Sequence, residues 1–138
     1  MKLLVYSDGA SRGNPGVSAI AFMILAEDGK LLEKASRYVG IRTNNQAEYE
    51  ALLAALEAAS ELSRQEVTCY MDSQLVVKQL KKEYQVKNPE LKTLWLKVME
   101  LIKTFQEVSF INVPRTEPHI QVVDRLVNKT LNSMSNRL

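Results

Sequence analysis

A single cysteine, Cys69, among 138 residues leaves no internal disulfide and no multi-cysteine metal cluster, a usage that suits a reducing cytosol. Cys69 falls mid-strand between apolar neighbours and reads as a buried, inert thiol. Histidine also occurs once, at His119, so a histidine-clustered zinc site is excluded and no Ser/His/Asp or Cys/His arrangement for nucleophilic attack is in view. No apolar run approaches the roughly 18–20 residues of a membrane span. The N-terminus, with Tyr6, Ser7 and Asp8 so early, lacks the apolar core of a signal peptide. A cytoplasmic protein with no membrane partner is expected. Neither charge sign dominates: 18 basic against 16 acidic side chains give a net +2, which permits a polyanionic partner without demanding one. Repeats, low-complexity tracts and linkers are also missing. A single domain over 1–138 is therefore expected, with enough apolar residues (46%) for a real core.

The patterning that is present is of α/β type. Leu3 to Tyr6 reads as a short buried strand closed by an Asp8-Gly9 turn. Val17 to Leu25 and Leu31 to Val39 flank Glu27-Asp28-Gly29-Lys30, a hairpin signal. Asn44 to Leu62 is rich in alanine, leucine and glutamate and predicts a helix. A strand over Val67 to Met71, a helix from Asp72-Ser73 to about Lys81, and a helix opened by Asn88-Pro89-Glu90 follow. Leu91, Leu94, Trp95, Val98, Leu101, Ile102 and Phe105 recur there at helical spacing, which places Trp95, the only tryptophan, in the core. Val108 to Val113 reads as a strand, and a polar loop leads to a last helix from about Val122. The order βββαβααβα predicts a mixed sheet, antiparallel at its start and parallel where helices cross over.

Four acids occupy positions where acids are unusual. Glu48 lies on the helical stripe of Leu52, Ala55, Ala59 and Leu62, whereas Glu50 and Glu57 fall on the surface side. Asp124 shares a stripe with Val127 and Leu131. Asp8 and Asp72 follow apolar strands at their C-terminal ends, the edge where open α/β sheets bind ligands. Singly, Asp72 reads equally as a helix cap and Asp8 as a turn acid. Together they would repel one another strongly, and no core-facing lysines or arginines are in view to neutralise them. A divalent cation would. An all-carboxylate donor set selects a hard ion, Mg2+ or Mn2+. The glycine-rich stretch after Asp8 lacks the GxxxxGK[ST] pattern, so it is no triphosphate-binding loop.

"YSDGASRGNPG", "TNNQAEYEALLAAL", "MDSQLVVKQL" and "VPR…VVDRLVNKTL", in this order and spacing, resemble type 1 ribonuclease H over essentially the whole chain. The resemblance implies a ribonuclease H-like fold, a five-stranded mixed sheet in order 3-2-1-4-5 flanked by helices. It implies a two-metal endoribonuclease that hydrolyses the RNA strand of RNA/DNA hybrids and leaves 5′-phosphate and 3′-hydroxyl ends. The cofactor would be Mg2+, two ions during catalysis, with Mn2+ able to substitute. The family's catalytic and metal-binding acids fall on Asp8, Glu48, Asp72 and Asp124. Contacts to RNA 2′-hydroxyls fall on Asn14, Asn45, Gln74 and the backbone of the Asp8–Gly13 segment, and contacts to the DNA strand on Thr43 and Asn44. An Asn-Pro turn for Asn14, a helix cap for Asn44 and an exposed first-turn position for Gln74 remain alternatives. Arg42, Lys78, Lys81, Lys82 and Lys87 read either as added phosphate attraction or as solvated helix faces.

Two departures stand out. Lys81 to Asn88 is too short for the basic, tryptophan-containing protrusion of many bacterial members, so the hybrid is gripped elsewhere or more weakly. Many members also carry a histidine about ten residues before the last acid. Here His119 lies only five residues before Asp124, in what reads as a loop, and Arg115 competes with it for the auxiliary catalytic role. A monomer with no obligate protein partner, and no hybrid-binding domain before Met1, is expected.

Overall fold

The computed structural model describes residues 1–135. Its elements run β1 (Lys2–Gly13), β2 (Gly16–Ala26), β3 (Leu31–Arg42), α1 (Asn44–Leu62), β4 (Glu66–Met71), α2 (Gln74–Leu80), α3 (Pro89–Ile102), β5 (Glu107–Asn112) and α4 (Pro118–Ser135). The strands form one sheet in the order β3-β2-β1-β4-β5. β1, β2 and β3 pair antiparallel; β4 pairs parallel with both β1 and β5. The expected mixed topology is thus the one observed.

Two boundaries differ from the sequence expectation, and both bear on the site. β1 does not stop at Tyr6: it runs through Asp8-Gly9 with Asp8 opposite Ala21, and the chain reverses only after Gly13, which faces Gly16. The long apolar β2 supplies a continuous antiparallel partner, which overrides the turn preference of an Asp-Gly pair. The Asp8–Gly13 segment is strand, not loop. α4 begins at Pro118 rather than near Val122. Proline is pre-organised for a first helical turn. The preceding Glu117 carboxylate accepts the N–H groups of His119 (3.1 Å) and Ile120 (3.0 Å), which α4 would otherwise leave bare. His119 is therefore helical.

Alternation along β1 and β2 divides the core. Leu3, Val5, Ile20, Phe22 and Ile24 pack with α1 and with apolar residues of α2 and α3; Tyr6, Ala19, Ala21, Met23 and Leu25 pack with Ile120, Val123, Val127 and Leu131 of α4. Cys69 is fully buried, and burial pushes its thiol well above the ordinary range. Leu52, Ala55 and Ala59 are buried as the stripe required, but Leu62, at the helix end, is exposed. Phe105 lies beyond the end of α3 yet is buried in the same cluster. Trp95 is half-buried against that cluster, its Nε1 donating to the Gln79 carbonyl at 3.1 Å. Glu50 is not a free surface acid: it pairs with Arg42 at 2.9 Å.

α1 starts with a complete capping box. Thr43 Oγ1 accepts the Gln46 N–H (3.2 Å) and Gln46 Oε1 accepts the Thr43 N–H (2.8 Å). Replacing Thr43 with alanine is expected to cost about 1 kcal/mol, read as a lower urea midpoint with an unchanged slope.

Candidate active site

The parallel ladder between β1 and β4 ends at the Tyr6–Tyr70 pair. Beyond it the two strands part. β4 finishes at Met71, and Asp72 leads into α2, capped by Ser73, whose Oγ accepts the Val76 N–H at 3.3 Å. Asp72 is thus not the cap. β1 continues past the fork with Asp8 in place, so the edge of β1 after Tyr6 has no β4 partner. α1 crosses that gap. Gly9 permits the crossing at contact distance, since a Cβ there would lie 2.2 Å from the Ala47 carbonyl oxygen. The Gly9 N–H, with no strand to receive it, donates to Glu48 Oε1 at 2.7 Å.

Asp8, Glu48 and Asp72 consequently converge, each offering a carboxylate oxygen within 4.8 Å of the others. Asp8 and Glu48 are only 6% and 3% exposed. They line a cleft of about 260 Å³ with Gly9, Ala10, Asn44, Ser73, Arg115 and Asp124. All four sequence-nominated acids therefore reach one cleft, three in mutual contact range and Asp124 from α4.

Their electrostatics follow from crowding. Burial first, then the charges of Asp72 and Asp124, push the Asp8 carboxyl up to about 7, against a lowering hydrogen bond with Glu48. Burial and then Asp8 raise Glu48 well above the usual carboxylate range. Asp72 is raised by burial and lowered by Arg115. Arg115 Nε stands 3.7 Å from Asp72 Oδ2, but its side chain is 84% exposed. One solvent-screened cation at that distance does not neutralise four acids.

Acids raised in this way bind protons more tightly folded than unfolded. Their contribution to stability is complete below the ordinary carboxylate range, about pH 4, and is lost as pH rises to about 7, the Asp8 value. Glu48→Gln, which keeps an oxygen for the Gly9 N–H, removes one of the crowded charges. In chelator it should melt close to wild type at pH 4–5 and roughly 5–10 °C higher at pH 8, measured by calorimetry. Equal melting temperatures at both pH values would refute the crowding.

The donor set fits hard divalent ions. Buried Asp8 and Glu48 and half-buried Asp72 carry proton affinities raised first by burial and then by neighbouring acids, and all the converging ligand atoms are oxygen.

The remaining nominated residues surround the cleft. Asn14 Oδ1 accepts the Asn44 N–H (3.1 Å), and Asn44 Oδ1 accepts the Ser11 N–H (3.2 Å), which locks the β1–β2 hairpin tip to the start of α1. Thr43, not Asn44, is the cap. Asn45 is half-buried in the first turn of α1, and Gln74 is exposed at the start of α2. Lys81, Lys82 and Lys87 are exposed, while Lys78 lies over the Tyr84 ring. His119 does not line the cleft: its Nδ1 is 2.9 Å from Glu117 Oε1 and its ring stacks on Tyr6. Glu117, the close approach of α1 at Gly9 and the Tyr6–Tyr70 pair escaped the sequence reading. Only Glu117 left a signal there, as the acid preceding a helix-opening proline.

A mixed sheet ordered 3-2-1-4-5 with an acidic cleft at the β1/β4 fork defines the ribonuclease H-like class. A family described as reverse transcriptase-like matches residues 6–130. Ribonuclease HI of Halobacterium salinarum is 40% identical over 126 residues, 91% of this chain and 62% of that protein. Ribonuclease H of Prosthecochloris aestuarii is 33% identical, covering 78% of this chain and 82% of that one. Among solved structures, RNase H1 from Halobacterium salinarum superposes with a TM-score of 0.92 at 37% identity, covering 96% of this chain and 99% of that one. LC11-RNase H1, solved in complex with RNA/DNA hybrid, gives 0.89 at 36% identity, covering 96% and 98%. The chain belongs to the ribonuclease H family. It spans 62% of the length of the halobacterial relative and 36% of that of a bifunctional protein of Mycobacterium tuberculosis to which it is 34% identical.

Proposed function

We propose that this protein is an endoribonuclease that hydrolyses the RNA strand of RNA/DNA hybrids, leaving 5′-phosphate and 3′-hydroxyl ends. The convergence of Asp8, Glu48 and Asp72 on one cleft, with carboxylate oxygens within 4.8 Å of one another, carries this reading. With Asp124 they would hold two Mg2+ ions, replaceable by Mn2+. When bound, such ions supply positive charge to both the attacking and the departing oxygen of an in-line displacement.

The chain's own groups do the rest. Burial and mutual repulsion leave Asp8, Glu48 and Asp72 short of compensating positive charge, which divalent cations would supply. Asn14, Asn45 and Gln74 offer amides that both donate and accept, as a 2′-hydroxyl partner requires. Thr43 and Asn44, at the start of α1, face the DNA strand's phosphates. Arg115, at the cleft wall beside Asp72, supplies the auxiliary cation for the scissile phosphate. The protein acts as a monomer.

The test is cleavage of labelled RNA/DNA, DNA/DNA and RNA/RNA duplexes in Mg2+, beside Asp72→Asn. Hybrid cleavage with 3′-hydroxyl ends, lost in the variant, is the expected result. Hybrid binding without cleavage in either Mg2+ or Mn2+ would make the protein a binding module instead.

A further inference from the structure

Three rings stack in a row across β4, β1 and the start of α4. Tyr70 lies on Tyr6 with centroids 4.6 Å apart and planes at 11°, and Tyr6 meets the His119 imidazole at 4.5 Å and 27°. Each ring shares its element or its approach with one cleft acid. Tyr70 precedes Asp72 by two residues, Tyr6 precedes Asp8 by two, and His119 precedes Asp124 by five. Two residues along a strand return to the same face, so Tyr6 and Asp8 project from one side of β1. The outer ring is held in turn by Glu117, whose carboxylate takes His119 Nδ1 and caps α4. Tyr6, the middle ring, is only 7% exposed.

α4 packs against β1, β2 and β3. Its far half is tied down by polar contacts: Ser36 Oγ donates to the Leu126 carbonyl (3.1 Å) and meets Thr130 Oγ1 (2.5 Å), and Arg12 donates to Asn132 Oδ1 (2.6 Å). Near its start, buried Ile120 and Val123 pack on the sheet, and the ring stack is the attachment that reaches across β1 to β4. Asp124 lies on that proximal half. It is also the one cleft acid outside the close trio, so its separation from Asp8 and Asp72 is set by where α4 begins on the sheet.

We propose that the Tyr70–Tyr6–His119 stack is a positioning device that pins the start of α4 to β1 and β4 and so fixes Asp124 against Asp8 and Asp72. His119 is on this view a positioning residue and not a proton shuttle: one face of its ring lies on Tyr6 and its Nδ1 is held by Glu117. The inference rests on the cleft being the divalent-cation site of the proposed hydrolase.

His119→Phe separates the two roles, because phenylalanine keeps a stacking ring and loses the ring nitrogens, whereas His119→Ala loses both. Mn2+ binding to chelator-stripped protein is measured calorimetrically without substrate, and kcat and KM are measured on a hybrid. His119→Ala should lower kcat about tenfold or more, weaken Mn2+ binding, and leave KM for the hybrid nearly unchanged. His119→Phe should restore both quantities towards wild type. Tyr70→Leu, which removes the opposite end of the stack from a half-buried position, should act in the same direction as His119→Ala if the latter folds poorly. The proposal is overturned if His119→Phe is as impaired as His119→Ala, if His119→Ala binds Mn2+ like wild type, or if only KM moves. A wild-type protein that binds Mn2+ without cutting hybrid would remove the proposed function alone, and the Mn2+ affinities of the variants would still decide the role of the stack.

Discussion

Asp8→Asn should abolish hybrid cleavage, by on the order of 1,000-fold or more, while the protein remains folded and melts no lower than wild type in chelator at pH 8. Asp8 is 6% exposed and lies at the centre of the cluster, its proton affinity raised by burial and by both Asp72 and Asp124. Asparagine preserves its shape and removes the charge that the other acids repel. In a merely structural buried acid, loss of the charge would cost stability and leave chemistry alone. Here the two effects separate, because the crowded charge is unfavourable to the fold and needed for cations. Turnover of labelled hybrid in Mg2+ and calorimetry in chelator measure both on one preparation. Retained cleavage would refute the assignment of Asp8. Lost cleavage with a sharply lower melting temperature would refute the electrostatic account of why the acids are there.

Gly9→Ala carries the largest expected effect on stability. The added Cβ would sit 2.2 Å from the Ala47 carbonyl oxygen, 2.4 Å from its carbon and 2.8 Å from the Glu48 nitrogen, all backbone atoms. No side chain can swing aside, so β1 and α1 must separate. That costs about 3 kcal/mol, or roughly 10 °C in melting temperature for a chain of this size. Activity falls further, because the same movement breaks the 2.7 Å bond from the Gly9 N–H to Glu48 and spreads the carboxylates. Gly29→Ala is the contrast. That glycine has nothing within 4 Å of its would-be Cβ but a φ of +94°, so alanine there costs about 1 kcal/mol from backbone strain and leaves cleavage intact. Equal melting temperatures for the two variants would show that the close approach at Gly9 is unimportant.

Much of the cleft was legible because its acids break local rules. Glu48 sits on a stripe otherwise made of leucine and alanine, and an isolated helix would gain nothing by it. Asp72 follows a strand that is buried to its end. Other parts were hidden because their cause lies outside the local sequence. Asp8-Gly9 carries the signature of a turn, and only the antiparallel partner β2 extends β1 through it. Nothing near Gly9 in the chain announces that α1 will press on it. His119 looked like a loop residue until Glu117 supplied a cap four residues earlier than the apolar stripe suggested.

The sequence alone determined the order of elements, the sheet's mixed character and the four acids, since hydrophobic period and misplaced charge are properties of neighbours along the chain. Tertiary structure alone decided where the acids meet, which nominated residues face them, and that the only histidine is clasped between a glutamate and a tyrosine. Those outcomes depend on the fork between β1 and β4, the crossing of α1 over it and the seating of α4. All three are contacts between segments far apart in the chain, and local pattern does not encode distances across a sheet.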